Sequence, residues 1–303
     1  MRTPSITVVI CSHNPEEIVL KEVLEGLRSQ DYPLEKWSLL LVDNCSTNYV
    51  INKLDLSWHP SARIVGEVKP GLVQARLCGI RECSSPWICF VDDDNVLKSD
   101  YLSLVSEIVE SEDYGVIGAG NIFPRYEVPP CPQLKSYMEM LALRSKSERK
   151  IISQARGFSG LPWEAGMVVS RQVSEAYAEL CSRNGSSISL GRSGTMLLSG
   201  EDVEFSMLAL TNGLPCLTEP RLVIEHLISR ERVEVDYLLR LAEGHSYSEV
   251  LLVKKWLPGL LVWIKLFWRI SLKLIKAFLD VKNPFRKKIE MRRLKGYLQA
   301  LKA

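Results

Sequence analysis

The stretch Ile88-Cys89-Phe90-Val91-Asp92-Asp93-Asp94-Asn95 decides how this chain is read. Four apolar residues run straight into three consecutive carboxylates. A short run that is apolar at both alternating positions reads as a strand buried on both faces of a sheet. The triplet then lies where the strand leaves the sheet, and in open α/β sheets ligands bind at the carboxyl ends of the strands. Three adjacent carboxylates repel one another unless a cation or hydrogen-bond donors offset their charge. A hard divalent ion with oxygen ligands does so, and such an ion commonly accompanies a diphosphate. The plainer reading is a solvated turn that starts the next helix, since Asp is a favoured N-cap.

The residues upstream follow the same pattern. Ile6 to Cys11 is a β-branched run that ends at Ser12-His13-Asn14-Pro15. Ile18, Val19, Val23, Leu24 and Leu27 then recur at helical spacing as far as about Gln30. A second strand, Ser38 to Val42, ends at Asp43-Asn44-Cys45-Ser46, and a third, Arg63 to Val65, leads to Pro70-Gly71 and a helix with Val73, Leu77 and Ile80. Strands and helices that alternate over short loops predict a parallel, doubly wound half over roughly residues 1–120. Ser12, His13 and Asn14, then Asp43 and Asn44, then Asp92, Asp93 and Asp94 each follow a strand directly, so the three clusters are expected on one sheet edge. No glycine-rich G-x-G-x-x-G follows the first strand, which disfavours a dinucleotide-binding oxidoreductase.

Beyond Gly120 the alternation fades. Pro124 and Pro129-Pro130-Cys131-Pro132 mark a crossover, and a helix is expected from about Leu134 to Leu143. Ala165 to Val169 reads as a strand with Trp163-Glu164 at its mouth; Trp163 reads either as core or as a ring that stacks on a sugar. The Gly/Ser-rich segment Asn184 to Gly200 reads as a mobile loop. It delivers Glu201-Asp202 to a helix that Asn212-Gly213 stops. Leu222 to Ile224 is a further strand, with Glu225-His226 at its end.

With these pieces in order, the chain resembles the family 2 glycosyltransferases, which have the GT-A fold. Val9-Ile10-Cys11-Ser12-His13-Asn14 looks like the family's opening strand and loop, and Val42-Asp43-Asn44-Cys45-Ser46 like its Val-Asp-Asp-Gly-Ser. Pro70 to Arg76 is similar to its Gly-x-x-x-Ala-Arg helix start, Phe90 to Asp94 to its D-x-D strand, and Gly200-Glu201-Asp202 to its Glu-Asp motif. The fold implied is α/β, a Rossmann-like, mostly parallel central sheet flanked by helices.

The resemblance implies an inverting, metal-dependent transfer of a sugar from a nucleotide sugar, a UDP-sugar by family frequency, to a glycan or lipid-linked acceptor in polysaccharide synthesis. Asp43 would bind the base, with Ser12, His13 and Asn14 lining the same pocket and Arg76 holding base or phosphates. Asp92, and with it Asp93, would contact the nucleotide sugar. Asp94 would bind Mn²⁺ or Mg²⁺, with His226 as a further ligand, and Asp202 would be the catalytic base, Glu201 its alternative. Cys45 and His13 stand where the family has Gly and Tyr, so the loop after Asp43 is expected to take another path and stacking on the base to differ. A catalytically silent binding subunit at the membrane and a nucleotidyltransferase are the competing readings.

The chain has 303 residues and a net charge of +2, but the charge is divided unevenly. From Leu251 onward there are 14 Lys/Arg against 2 Asp/Glu, so a mildly acidic body carries a basic tail. Lys265, Arg269, Lys273, Lys276 and Asp280 form one narrow stripe on a helix whose remaining surface is apolar. That arc suits a helix lying in a membrane interface, and Arg286-Lys287-Lys288 with Arg292-Arg293-Lys295 would add attraction to anionic lipid. The tail is thus expected to dock on an anionic membrane surface through residues 257–295, or else to pack on a partner. Its apolar arc and lack of any reader motif argue against nucleic acid; a homo-oligomer stays open. Eight cysteines without metal or C-x-x-C spacing, and no leader ahead of Thr7, predict a cytoplasmic protein, peripheral on the inner face of the membrane. The expected organisation is a catalytic domain over 1–250, split into a nucleotide-binding half (1–120) and an acceptor-binding half (121–250), and an amphipathic tail over 251–303.

Overall fold

The computed structural model describes residues 5–155, 157–183, 190, 197–257, 259–279 and 284–302. Most of the Gly/Ser-rich segment Asn184–Gly200, and Asp280 of the charged stripe, lie outside them.

The first half of the chain alternates as expected. Strand β1 (Ile6–Ser12), helix α1 (Glu17–Arg28), β2 (Trp37–Asn44), β3 (Ala62–Glu67), α2 (Leu72–Glu82) and β4 (Trp87–Asp92) follow one another. They place β3, β2, β1 and β4 side by side, all parallel. The register is tight: Ser12 lies opposite Asp43, and Cys11 opposite Asp92. The three polar clusters therefore do reach one edge of the sheet. β1, β2 and β4 are buried almost throughout because helices cover both faces. On one face Val8, Ile10, Leu39 and Leu41 pack with Leu20, Val23 and Leu27 of α1. Toward the other, Val9 meets α2 at Gly79.

The sheet then changes character. After β5 (Asn95–Leu97) and α3 (Tyr101–Ser111) come β6 (Val116–Tyr126), β7 (Lys150–Ile152), β8 (Val168–Ser170), α4 (Arg171–Arg183), α5 (Glu201–Thr211) and β9 (Cys216–Ile228). Among the described residues these complete a nine-stranded sheet in the order β3-β2-β1-β4-β8-β6-β9-β5, with β7 also on β9. The added pairs β4–β8, β6–β8, β5–β9 and β7–β9 are antiparallel. The expected helix near Leu134 is a run of 3₁₀ turns, Pro132–Leu141. The strand expected over Ala165–Val169 starts only at Val168, and β9 runs through Glu225-His226 instead of ending before them.

The chain divides into two compact units. The first holds the sheet: residues 1–125, 142–189 and 201–227; the second comprises 126–141, 190–200 and 228–303. Helices α6 (Val235–Trp256), α7 (Leu260–Leu279) and α8 (Pro284–Lys302) build most of the second. The division expected at residue 250 falls inside α6. That helix continues because Leu238, Leu241, Val250 and Val253 on it are all buried. α8 lies so close to α6 that a Cβ at Gly296 would collide with the carbonyl of Glu243.

α7 has the two-sided character read from its sequence. Only Leu266 and Ala277 on it are buried, whereas Leu261, Phe267, Trp268, Leu272, Ile275 and Phe278 are exposed. The second basic cluster needs a correction. Arg292 and Lys295 both pair with Glu243, at 3.0 and 2.7 Å, and Arg293 pairs with Glu290 at 2.7 Å. Two cations expected to face lipid, Arg292 and Lys295, therefore hold α8 to α6, and Arg293 is paired within α8. Among the described residues no helix is long and apolar enough to cross a membrane. None of the eight cysteines forms a disulfide.

Candidate active site

The loops after β1 and β2 are laced together by short polar side chains. Asp43 Oδ1 accepts the backbone N–H of Ser46 at 3.0 Å, so its carboxylate closes the turn after β2. His13 Nδ1 donates to the Asn44 carbonyl at 2.6 Å, which leaves Nε2 to accept from Asn14 Nδ2 at 3.1 Å. Asn14 Oδ1 accepts from Thr47 N at 2.6 Å. Buried Asn44 reaches across to β3, donating to the carbonyls of Glu67 and Lys69 and accepting from Gly71 N at 2.8 Å. That last bond fixes the start of α2. Cys45 has φ = 59°, the left-handed conformation that a glycine enters without strain. Its thiol lies 3.2 Å from the Val68 carbonyl. Ser12, expected to line the base pocket, is buried and donates to Asp93 Oδ2 at 2.5 Å, so it orients the acidic triplet.

β4 ends at Asp92, whose side chain is 37% exposed, while Asp94 is buried and accepts from the Asn95 amide. The chain then turns into β5, which pairs with β9 so that Asn95 lies opposite His226. That antiparallel register brings His226 Nε2 to 3.5 Å from Asp94 Oδ2. A carboxylate oxygen and an imidazole nitrogen so close are donors that Mn²⁺ accepts readily and Mg²⁺ less so. Among the described residues no three His, Cys, Asp or Glu gather tightly enough to hold an ion alone. The pair thus fits an ion whose remaining ligands come from substrate phosphates and water.

Glu201 and Asp202 start α5, as expected, but their surroundings differ. Glu201 is 1% exposed, beside Tyr177 Oη at 3.3 Å and Arg76 Nη1 at 2.9 Å. Burial pushes its carboxyl up, against the pull of Arg76. Asp202 is half-buried, its Oδ1 accepting Val203 N at 2.8 Å. Burial raises its pKa as well, opposed by that bond and by the charges of Arg76 and Arg144.

Arg76 requires the main correction. Its side chain is 2% exposed and its guanidinium touches Glu164 and Glu201, with Asp92 at 3.8 Å. Burial works against its charge, but Glu201 and Asp92 outweigh it and raise the pKa. A guanidinium closed in among three carboxylates has no surface left for a base or a diphosphate; it is their countercharge. Through it the end of β4, the mouth of β8 and the start of α5 are tied into one cluster.

Two contributors were not singled out as site residues in the sequence. Glu164 stands in the sequence only as the neighbour of Trp163 at a strand's mouth. Arg144 lies over Trp163, with its guanidinium carbon 4.0 Å from the ring centroid. The signal for Arg144 was the basic run Arg144, Lys146, Arg149, Lys150, which carries no motif of its own.

A family model described as glycosyl transferase family 2 matches residues 7–168, more than half of the chain. The chain belongs to glycosyl transferase family 2. An uncharacterized glycosyltransferase of Haemophilus influenzae is 26% identical over 105 residues, which span 35% of this chain and 34% of that protein. Among solved structures, the mannosyltransferase PcManGT from Pyrobaculum calidifontis, in complex with GDP-Man and Mn²⁺, aligns with a TM-score of 0.58 at 16% identity. That alignment covers 99% of this chain and 88% of the other. TarS 1-349 of S. aureus gives 0.51 at 15% identity, over 78% of this chain and 64% of that one. These likenesses show the GT-A fold: a mixed α/β structure with a curled central sheet flanked by helices and, here, C-terminal helices.

Proposed function

We propose that this family 2 chain transfers a sugar from a nucleotide sugar, uridine or guanosine diphosphate being the leaving group, to a hydroxyl of a glycan or lipid-linked acceptor, with inversion and with Mn²⁺ or Mg²⁺. The observation that carries the reading is the pairing of Asp94 with His226 beside Asp92, tied through Arg76 to the start of α5. In it, Asp43 and the His13–Asn14 loop receive the base, Asp92 and Asp93 the ribose and sugar, and Asp94 and His226 hold the ion. When bound, the ion offsets the charge that builds on the departing diphosphate. Asp202 removes the acceptor's hydroxyl proton as the new C–O bond forms and the bond to the diphosphate breaks on the opposite face. Glu201 is the weaker candidate for that base, because it is buried and already bound by Arg76 and Tyr177. The test is nucleoside diphosphate release across a panel of uridine and guanosine sugars with Mn²⁺. Release is expected from one donor, lost with chelator and in Asp94→Ala. Release that survives both would overturn the metal reading, and pyrophosphate as product would replace glycosyl transfer by nucleotidyl transfer.

α7 supports a peripheral place on an anionic membrane surface, through exposed Phe267, Trp268, Leu272 and Ile275 flanked by Lys265 and Lys276. The double variant Phe267→Glu/Trp268→Glu changes only exposed side chains. It is expected to lower co-sedimentation with phosphatidylglycerol vesicles by about tenfold or more, given what burial of two aromatic rings contributes. Equal sedimentation of variant and parent would remove the membrane from the reading.

A further inference from the structure

A cleft of about 570 Å³ opens in the first unit between the segment 144–163 and β9. Among the described residues its walls include Arg144, Lys146, Arg149 and Lys150 against one acid, Glu148, together with Phe158 and Trp163. The four cations are not equivalent. Arg149 is committed to Glu112 and Glu219, each at 3.5 Å. Arg144 is held against the face of Trp163, and its Nε and Nη1 are buried with no hydrogen-bond partner among the described residues. A guanidinium withdrawn from water is costly unless a carboxylate hydrogen-bonds it; burial lowers this one to about 10, opposed by the charge of Asp202. Lys146 and Lys150 are exposed at the same cleft. Positive charge therefore outweighs negative charge along the cleft among the described residues. Its position matters too, because Arg144 is close enough to Asp202 for its charge to act on that carboxyl.

We propose that the cleft is the acceptor subsite and that the acceptor is acidic, a sugar ring carrying a carboxylate or a phosphate. The anion would offer Nε and Nη1 of Arg144 a hydrogen-bonded countercharge, with Lys146 and Lys150 drawing it in. Trp163 is a positioning residue, since it holds the guanidinium and does not itself take the sugar. Phe158 offers the apolar surface against which a ring can lie. Delivered there, an acceptor hydroxyl lies on the Asp202 side of the site. The inference rests on the transferase reading above, but it is tested without turnover.

Wild-type full-length protein would be titrated by calorimetry with a galacturonic acid trisaccharide, with mannose 6-phosphate and with neutral galactotriose. Binding of UDP and GDP with Mn²⁺ is measured in parallel, so that failure of the donor reading shows separately. At least one acidic ligand is expected to bind about tenfold tighter than galactotriose, the size of one charge-assisted contact. The two acidic arms separate carboxylate from phosphate. Lys146→Glu/Lys150→Glu should lose that preference and Lys146→Arg/Lys150→Arg keep it, with unchanged melting temperatures showing that both fold. Equal affinity for acidic and neutral ligands, no binding of any of the three, or a preference that survives the glutamates would each overturn the proposal.

Discussion

Asp202→Asn is expected to reduce glycosyl transfer by ~10²–10⁴-fold, the usual contribution of a positioned general base, while making the protein slightly more stable at neutral pH. The two effects have one origin. Burial raises the Asp202 pKa above its value in the unfolded chain. A carboxyl shifted this way favours the folded state fully below the unfolded pKa, and that contribution is lost as pH rises through the folded pKa. At neutral pH the ionised Asp202 is therefore a burden that the isosteric amide removes. The same shift sets the acid limb of the wild-type profile. Transfer should fall as pH drops through the raised pKa, above the ~3.9 of an ordinary Asp. Thermal melts and pH–rate profiles of both proteins check this. A variant that retains transfer would remove Asp202 as the base. A variant less stable than the parent would mean that Val203 N and the two arginines stabilise the carboxylate more than burial destabilises it.

Arg76→Met should be among the most destabilising substitutions in the chain, by about 3–5 kcal/mol, the range seen when one partner of a buried charge cluster is removed. Methionine fills most of the volume, so the loss is chiefly electrostatic. Glu201 and Glu164 keep their positions without their cation, and Glu201 is 1% exposed. The Glu201 carboxyl, already raised by burial, then rises further above its unfolded value. By the same sign argument, the variant should recover stability as pH falls and Glu201 takes up a proton. Arg76→Met/Glu201→Gln should recover part of the loss at neutral pH. Denaturant melts of the three proteins at two pH values decide it. A near-neutral single variant, or a double variant that only adds a second loss, would show that Arg76 is not the countercharge of this cluster.

The strands that carry the site were legible because each is buried on both faces. Ile6–Cys11, Ser38–Val42 and Ile88–Val91 are apolar but for Thr7 and Ser38, and the polar residues just beyond them mark the ends to within two residues. Their order along the chain, with short helical connections, then predicted parallel neighbours and a shared edge, as found. The amphipathic surface of α7 was legible for the same kind of reason, since a 3.6-residue period survives in one dimension.

What the chain order could not convey depends on pairing across long separations. His226 comes beside Asp94 only because β5 and β9 pair antiparallel, with Asn95 opposite His226. Arg76 looked like a ligand for a diphosphate because an arginine at a helix start near a strand edge has that geometry in one dimension. Its neighbours Glu164 and Glu201 come from β8's approach and from α5, and only their convergence makes it a countercharge. The basic cluster of α8 likewise read as lipid-facing until Glu243 of α6 was placed against Arg292 and Lys295. The sequence by itself determined which residues are charged, which runs of the parallel half are buried and, to within two residues, where those strands end. The tertiary structure alone decided which charges meet, because a pair's worth depends on distance and burial, and neither is written along the chain.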